Sequence, residues 1–308
     1  MKLLIDTDPG VDDALAILMA LADPRVDLLG LTVAAGNVGL AHTVRNALKL
    51  LEVAGRTDVP VFPGAPCGLL PGDEHAAFVH GQDGFGDTGY LPPTATPADE
   101  HAAAAMVRLA RASGGELTLV TLGPLTNLAL ALRLDPGLPE RIARLVIMGG
   151  AVSGRGNLAR QAVEFNFGFD PEAAAVVFAA FPRFDLVDWE ATLGHAIAEP
   201  DFAALCARDS ERARFYRAIF RRTLEFQRGF HPGKVHSADA LAMAVALEPG
   251  SVLEASLCPA WIETGGDDTR GMSVVDHDRR SGRPLRARVI RRFDQARFLA
   301  RLGEALAA

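Results

Sequence analysis

Four aspartates fall within eight residues at the start of the chain: Asp6, Asp8, Asp12 and Asp13, in the run Lys2-Leu3-Leu4-Ile5-Asp6-Thr7-Asp8-Pro9-Gly10-Val11-Asp12-Asp13-Ala14. Asp6 and Asp8 are two apart, so an extended chain points them the same way. Asp12 and Asp13 sit where a helix would begin, and the helix dipole favours anions there. Two carboxylates ~5 Å apart at an effective dielectric of ~20 repel by roughly 3 kcal/mol. Something positive must offset that, or some of the acids must hold protons. The chain has three lysines, and only Lys2 lies near in sequence. Hard oxygen donors without Cys or His point to Ca²⁺ or Mg²⁺ rather than Zn²⁺. The plainer account makes Asp12 an N-cap, Asp13 a first-turn acid and Asp6 a strand-end acid, which leaves part of the cluster unexplained.

Other polar side chains recur at comparable places. Ala35-Gly36-Asn37-Val38 sets Asn37 at the carboxyl edge of a strand-like run, where a turn asparagine is the simpler account. Residues 63–97 read as a long irregular loop holding Phe78-Val79-His80-Gly81-Gln82-Asp83-Gly84-Phe85-Gly86-Asp87. Loops of that length are often functional lids; His80 has the chemistry of a mobile acid or base, and Phe85 is a candidate to face a nucleobase. Asn157, Glu164 and Asn166 are hydrogen-bonding types suited to sugar hydroxyls. A Gly/Pro/His loop ending in His236 runs into Ser237-Ala238-Asp239, where Asp239 opens an apolar helix and, taken alone, reads as an N-cap.

These residues need elements to position them. Residues 3–5 read as a buried strand that stops at Asp6, turns at Pro9-Gly10 and enters an apolar-periodic helix over 13–22. Strand-like runs follow at 26–34, 59–62, 117–122, 144–148 and 184–187, separated by helical patterns at 40–54, 98–113, the segment opened by Thr126-Asn127, and about 171–180. Amphipathic helices over 200–228, strands at 256–262 and 271–276, and a closing helix near 294–306 complete the chain. The βαβ alternation predicts an α/β protein with a mostly parallel, doubly wound sheet, one domain over 1–308, and the site at the strand carboxyl ends. Trp189-Glu190-Ala191-Thr192 reads as a strand-end segment with no assignable role.

Composition narrows the function classes. With 308 residues and 49% hydrophobic content the chain can bury a large core. A net charge of −7 argues against a phosphate-tracking surface, despite Arg-rich runs at 208–228 and 279–292, so no nucleic-acid partner is expected. The first run reads as a surface or oligomer helix. Cys67, Cys206 and Cys258 are far apart and odd in number, which opposes a disulfide framework or a metal motif. There is no leader-like start and no apolar run of spanning length, so the expectation is a cytoplasmic protein without a membrane partner.

Asp6-Thr7-Asp8-Pro9-Gly10-Val11-Asp12-Asp13-Ala14 resembles the signature of the inosine–uridine-type nucleoside hydrolases, which split the N-glycosidic bond of ribonucleosides. The His-Gly loop at 80–81, the Glu164-Phe165-Asn166 segment and Asp239 extend the resemblance. It implies a Ca²⁺ held by Asp8, Asp13, Asp239 and the Leu122 carbonyl, with Asp8 also the general base. It implies Asp12 on the ribose 2′-hydroxyl, Asn37 orienting water or a ligand, and Asn157, Glu164 and Asn166 on the other hydroxyls. Met148, just before Gly149-Gly150, belongs to the substrate side. Asn157 lies seven residues before Glu164 where six are expected. Many members place a leaving-group acid, a His, directly before the last aspartate; here that residue is Ala238. His80, His236 and His231 are the alternatives, His80 slightly favoured because the family has a His at that position, or no side chain serves. A homodimer or homotetramer is also implied. A phosphohydrolase with an Asp-x-Asp nucleophile and Mg²⁺ is the rival enzyme, disfavoured by the scarcity of lysine; a non-catalytic ribose or nucleoside sensor is the other alternative.

Overall fold

The computed structural model describes residues 1–70, 72 and 75–307. Its strands, in chain order, are β1 (Lys2–Thr7), β2 (Asp27–Val33), β3 (Val61–Pro63), β4 (Leu117–Thr121), β5 (Ile142–Met148), β6 (Phe184–Val187), β7 (Ile197–Ala198), β8 (Lys234–Val235), β9 (Val252–Cys258), β10 (Ala260–Ile262), β11 (Ser273–Val275) and β12 (Ala287–Phe293). Its α-helices are α1 (Val11–Ala22), α2 (Leu40–Val53), α3 (Ala77–His80), α4 (Ala102–Ala112), α5 (Thr126–Leu134), α6 (Phe165–Phe169), α7 (Pro171–Ala180), α8 (Trp189–Gly194), α9 (Glu199–Cys206), α10 (Glu211–Phe230), α11 (Ala238–Leu247) and α12 (Gln295–Ala307).

Eight strands form the central sheet in the order β3-β2-β1-β4-β5-β6-β12-β9. All neighbours are parallel except β12 and β9. Parallel strands covered on both faces read as continuous apolar runs, as β1 does. Leu3 and Ile5 enter the core under α1, α2, α10, α11 and α12, whereas Leu4 points to the opposite core under α4, α5 and α7. The chain builds outward from β1 through β2 to β3, then returns to place β4 on the other side of β1. That reversal is the topological switch point, and ligand crevices of open α/β sheets lie at its carboxyl end.

Helix α11 is buried at every position from Ala238 to Leu247. A helix apolar all round belongs inside, and this one carries Asp239 in with it.

The structure departs from the sequence reading in four places. β12, a strand inside the sheet, overlaps the Arg-rich run; Val289, Ile290 and Phe293 are buried while Arg288 turns to Asp185 (3.0 Å). Trp189–Gly194 is the helix α8 rather than a strand end. Residues 63–97 contain the short helix α3, and Pro71, Asp73 and Glu74 of that loop lie outside the described residues. Helix α4 starts at Ala102, not 98, because the His101 ring accepts from Ala103 N–H (3.2 Å) and caps it.

Candidate active site

The chain leaves β1 at Thr7, turns through Pro9 and enters α1 with Gly10 as the N-cap. A Cβ on Gly10 would stand 2.7 Å from Asn37 Nδ2 and 2.9 Å from His80 Nδ1, so space requires glycine there. The capping acid is Asp13, not Asp12. Gly10 N–H donates to Asp13 Oδ2 (2.9 Å), Asn37 Nδ2 donates to the same oxygen (3.0 Å), and Thr7 Oγ1 donates to Asp13 Oδ1 (2.5 Å).

Asp8 is held between two strand-end loops. Its Oδ2 accepts from Asn37 N–H (2.7 Å), and Asn37 Nδ2 returns a bond to the Asp8 carbonyl (3.1 Å). A Cβ on Gly36, after β2, would be 2.1 Å from Oδ2, and one on Gly123, after β4, would be 2.2 Å from Oδ1. Both loops can close on the carboxylate because neither carries a side chain there. Asp8 Oδ1 is buried and has no hydrogen-bond partner. An orphaned buried acceptor is costly and calls for an explanation.

That explanation lies in the neighbours. Carboxylate oxygens of Asp12, Asp13 and Asp239 all lie within 4.8 Å of one another. Burial, then the Asp13 and Asp12 charges, hold Asp8 well above the usual carboxylate range. Burial and Asp12 raise Asp13; burial and the charges of Asp12, Asp13 and Asp8 raise Asp239. Among the described residues no lysine or arginine ion pair reaches these four aspartates. The donor set is all oxygen, one oxygen is unpaired, and the acids repel one another in a desolvated place. These residues fit a hard divalent cation. The Leu122 carbonyl, just past β4, accepts from Asn166 Nδ2 (2.7 Å).

Asn166 also donates to the Met148 carbonyl (3.3 Å) and approaches its sulfur (3.1 Å), so one side chain ties the ends of β4 and β5 together. Glu164 caps α6, accepting from Asn166 N–H (3.0 Å), and receives Gly150 N–H (2.8 Å) on Oε2. Burial pushes its carboxyl up to about 7, with the Asp12 charge adding to the shift. Glu164 therefore belongs to the same electrostatic site. Asn157 is exposed, and its Oδ1 accepts from Phe165 N–H (2.9 Å), bracing the segment from outside.

The two histidines differ. His80 is buried, and its Nδ1 accepts from Val11 N–H (3.1 Å), which makes Nε2 the protonated nitrogen; that nitrogen stands 4.0 Å from Asp12 Oδ1. Burial lowers its pKa to about 4, so the ring is neutral. His236 lies beside His231 (ring centroids 4.7 Å) and Trp189 (6.3 Å), and neither ring nitrogen has a hydrogen-bond partner of normal geometry. Gln227 pins its backbone on both sides. Phe85 does not face the crevice: it is fully buried against Tyr90 and Phe215.

A family model described as inosine-uridine preferring nucleoside hydrolase matches residues 3–300. The chain belongs to that family. It is 34% identical over 307 residues to the non-specific ribonucleoside hydrolase RihC of Escherichia coli, covering 100% of this chain and 98% of that one. It is 48% identical over 179 residues to a probable uridine nucleosidase 2 of Arabidopsis thaliana; the match spans 58% of this chain and only 55% of that relative's length. The solved plant nucleoside hydrolase PpNRh1 superposes with a TM-score of 0.93 at 31% identity, covering 100% of this chain and 99% of the other.

Within this nucleoside hydrolase fold, sequence reasoning missed several supporting residues. Thr7 holds Asp13. Asp6, which the sequence groups with Asp8, is a correction instead: it is buried and accepts from Thr32 Oγ1 (2.8 Å) and Asn127 Nδ2 (3.0 Å), tying β1 to β2 and α5. Gly36 and Gly123 make room for Asp8. Only Gly36 and Gly123 had a visible signal, as glycines at strand ends.

Proposed function

We propose that the protein hydrolyses the N-glycosidic bond of ribonucleosides with a bound Ca²⁺, releasing ribose and a free base. The observation that carries this is the unpaired Asp8 Oδ1 beside the Asp12–Asp13–Asp239 cluster at the sheet's switch point.

Asp8, Asp13, Asp239 and the Leu122 carbonyl would hold the ion, whose chemistry is to lower the pKa of the attacking water and orient it. Asp8 accepts the water's proton on its carboxylate, with Asn37 N–H keeping Oδ2 in place. Asp12, partly exposed at the mouth of the cluster, takes the 2′-hydroxyl. Glu164 and Asn166 take the other hydroxyls, with Met148 on the substrate side and Asn157 bracing them. The nearby carboxylates stabilise the positive charge that develops on the sugar as the bond breaks.

For the leaving base, His236 is the better candidate acid. Val11 N–H already occupies His80 Nδ1, so protonating that nitrogen would cost a buried backbone bond. His80 instead orients Val11 and Asp12. Action in cytoplasmic nucleoside salvage, as a homo-oligomer, completes the proposal; no helix among the described residues is long and apolar enough to cross a membrane.

The test is release of reducing sugar from inosine, uridine and a wider nucleoside panel, before and after chelation and with Ca²⁺ restored. Turnover lost in chelator and regained with Ca²⁺ is expected. Full turnover in chelator, with no calcium by elemental analysis, refutes the metal mechanism.

A further inference from the structure

The segment after β6 has no part in the chemistry above, yet it carries two acids in close contact. Asp188 is the N-cap of α8, accepting from Ala191 N–H on Oδ1 (2.9 Å). Its Oδ2 also accepts from Val152 N–H (3.2 Å). Glu190 Oε2 accepts from the same Val152 N–H (2.8 Å), while Oε1 accepts from Ser153 N–H (2.8 Å) and from the Ser153 hydroxyl. Two carboxyl groups thus converge on one N–H. Two carboxylates sharing one donor repel unless one of them holds a proton.

The loop they hold is the exit of β5. Trp189 N–H donates to the Gly150 carbonyl (2.9 Å), Ala151 N–H donates to Ser273 Oγ (2.8 Å), and Gly150 N–H donates to Glu164 (2.8 Å). Every backbone N–H from Gly150 to Ser153 therefore ends on a side chain, and Asp188 and Glu190 take the last two.

We propose that Asp188 and Glu190 form one clamp, Asp188 as the neutral hydrogen-bond donor and Glu190 as the anion, which positions the loop after β5 and through it Glu164. Both are positioning residues. Burial, then the hydrogen bond and charge of Glu190, push Asp188 well above the carboxylate range. Burial pushes Glu190 up, but its bonds from Asp188, Ser153 and Val152 outweigh that and hold it below its ordinary value. His277 approaches the Val152 carbonyl from beyond β11 (3.3 Å), with Arg291 of β12 on its other nitrogen (3.3 Å) and Glu164 on the Gly150 side. The effect on turnover rests on the sugar-side placement of Glu164 proposed above.

An amide separates the two roles. Asparagine keeps Oδ1 for Ala191 and presents Nδ2 as donor to Glu190, as a protonated aspartate would, giving up only the longer Val152 N–H contact (3.2 Å), which Glu190 Oε2 already accepts at 2.8 Å. Glutamine replaces one of the two oxygens that Glu190 needs with a donor. Asp188→Asn is therefore expected to recover at least half of what Asp188→Ala loses, whereas Glu190→Gln recovers nothing of what Glu190→Ala loses. The readouts are KM and kcat on inosine or uridine, and amide hydrogen exchange at residues 150–153. Glu190→Gln should raise KM about tenfold with kcat within threefold, and speed exchange at those amides at least tenfold. Ser153→Ala, a milder variant, should move both in the same direction by about threefold. Glu164→Gln is the control: if it leaves KM unchanged, the sugar placement of Glu164 is wrong, and exchange alone then decides the clamp. Equal impairment by Asp188→Asn and Glu190→Gln, or parent-like exchange in both, overturns the proposal.

Discussion

Gly123→Ala isolates what the Asp8 carboxylate requires. The backbone at Gly123 is outside the left-handed region, so alanine meets no conformational barrier of its own. Its Cβ would stand 2.2 Å from Asp8 Oδ1, 2.7 Å from Cγ and 3.1 Å from Cβ. An ordinary carbon–oxygen contact needs about 3.3 Å, so the carboxylate must retreat by about 1 Å. Rotation alone does not relieve contacts along the whole side chain. The group must move toward the Gly36–Asn37 loop, where Oδ2 already lies against Gly36 and on the Asn37 N–H, so that bond is distorted. A displacement of about 1 Å at a catalytic group costs about 100-fold in rate. The strain should cost about 1–3 kcal/mol of stability. The assay is steady-state hydrolysis of a nucleoside beside thermal unfolding. Gly229→Ala, in α10 with nothing within 4 Å of the added Cβ, is the control and should leave turnover unchanged. A Gly123→Ala protein within threefold of the parent in kcat, with an unchanged unfolding midpoint, would refute the claim that these glycines hold Asp8, the proposed general base.

Asp239→Asn removes one of the repelling buried acids, so in chelator its unfolding midpoint should rise above the parent's, while added Ca²⁺ should raise the parent's midpoint by more than the variant's; differential scanning calorimetry measures both. Glu164 is raised from 4.5 to about 7 in the fold. Its contribution to stability is full below pH 4.5 and is lost as pH rises through about 7. Glu164→Gln should therefore remove about 3 kcal/mol of the metal-free protein's decline over that window, read by urea unfolding at several pH values. His236→Ala should lower turnover of a natural nucleoside about 10²–10⁴-fold while sparing a nitrophenyl riboside, whose leaving group needs no proton. His80→Ala should lower both substrates alike and cost about 1–3 kcal/mol of stability through the unpaired Val11 N–H. Nucleoside-selective loss in His80→Ala instead would return the acid role to His80.

The parts of this protein that the sequence determined by itself are those where covalent spacing leaves little choice. Asp6 to Asp13 sit on one strand, one turn and the first turn of one helix, so a buried apolar run followed by Pro9-Gly10 places them at a strand end. The alternation of strand and helix patterns likewise requires a parallel sheet with its crevice at the carboxyl edge. Only the tertiary structure decided the rest. β12 was illegible because Arg288, Arg291 and Arg292 interrupt its apolar residues, and it is a strand only because β6 and β9 pair with it on either side. Asp239 reads locally as a cap, and it reaches the aspartate cluster because α11 is apolar enough on every face to be buried against α1. His80 has no protonation state in a sequence; the Val11 N–H, brought to it by the turn at Gly10, decides which nitrogen carries the proton. Asp188 and Glu190 look like two surface acids until β5 and β6 lie side by side and one backbone N–H meets both. Spacing along the chain sets which groups can act locally. Burial and long-range pairing set which charges are left unsatisfied, and those unsatisfied charges mark the site.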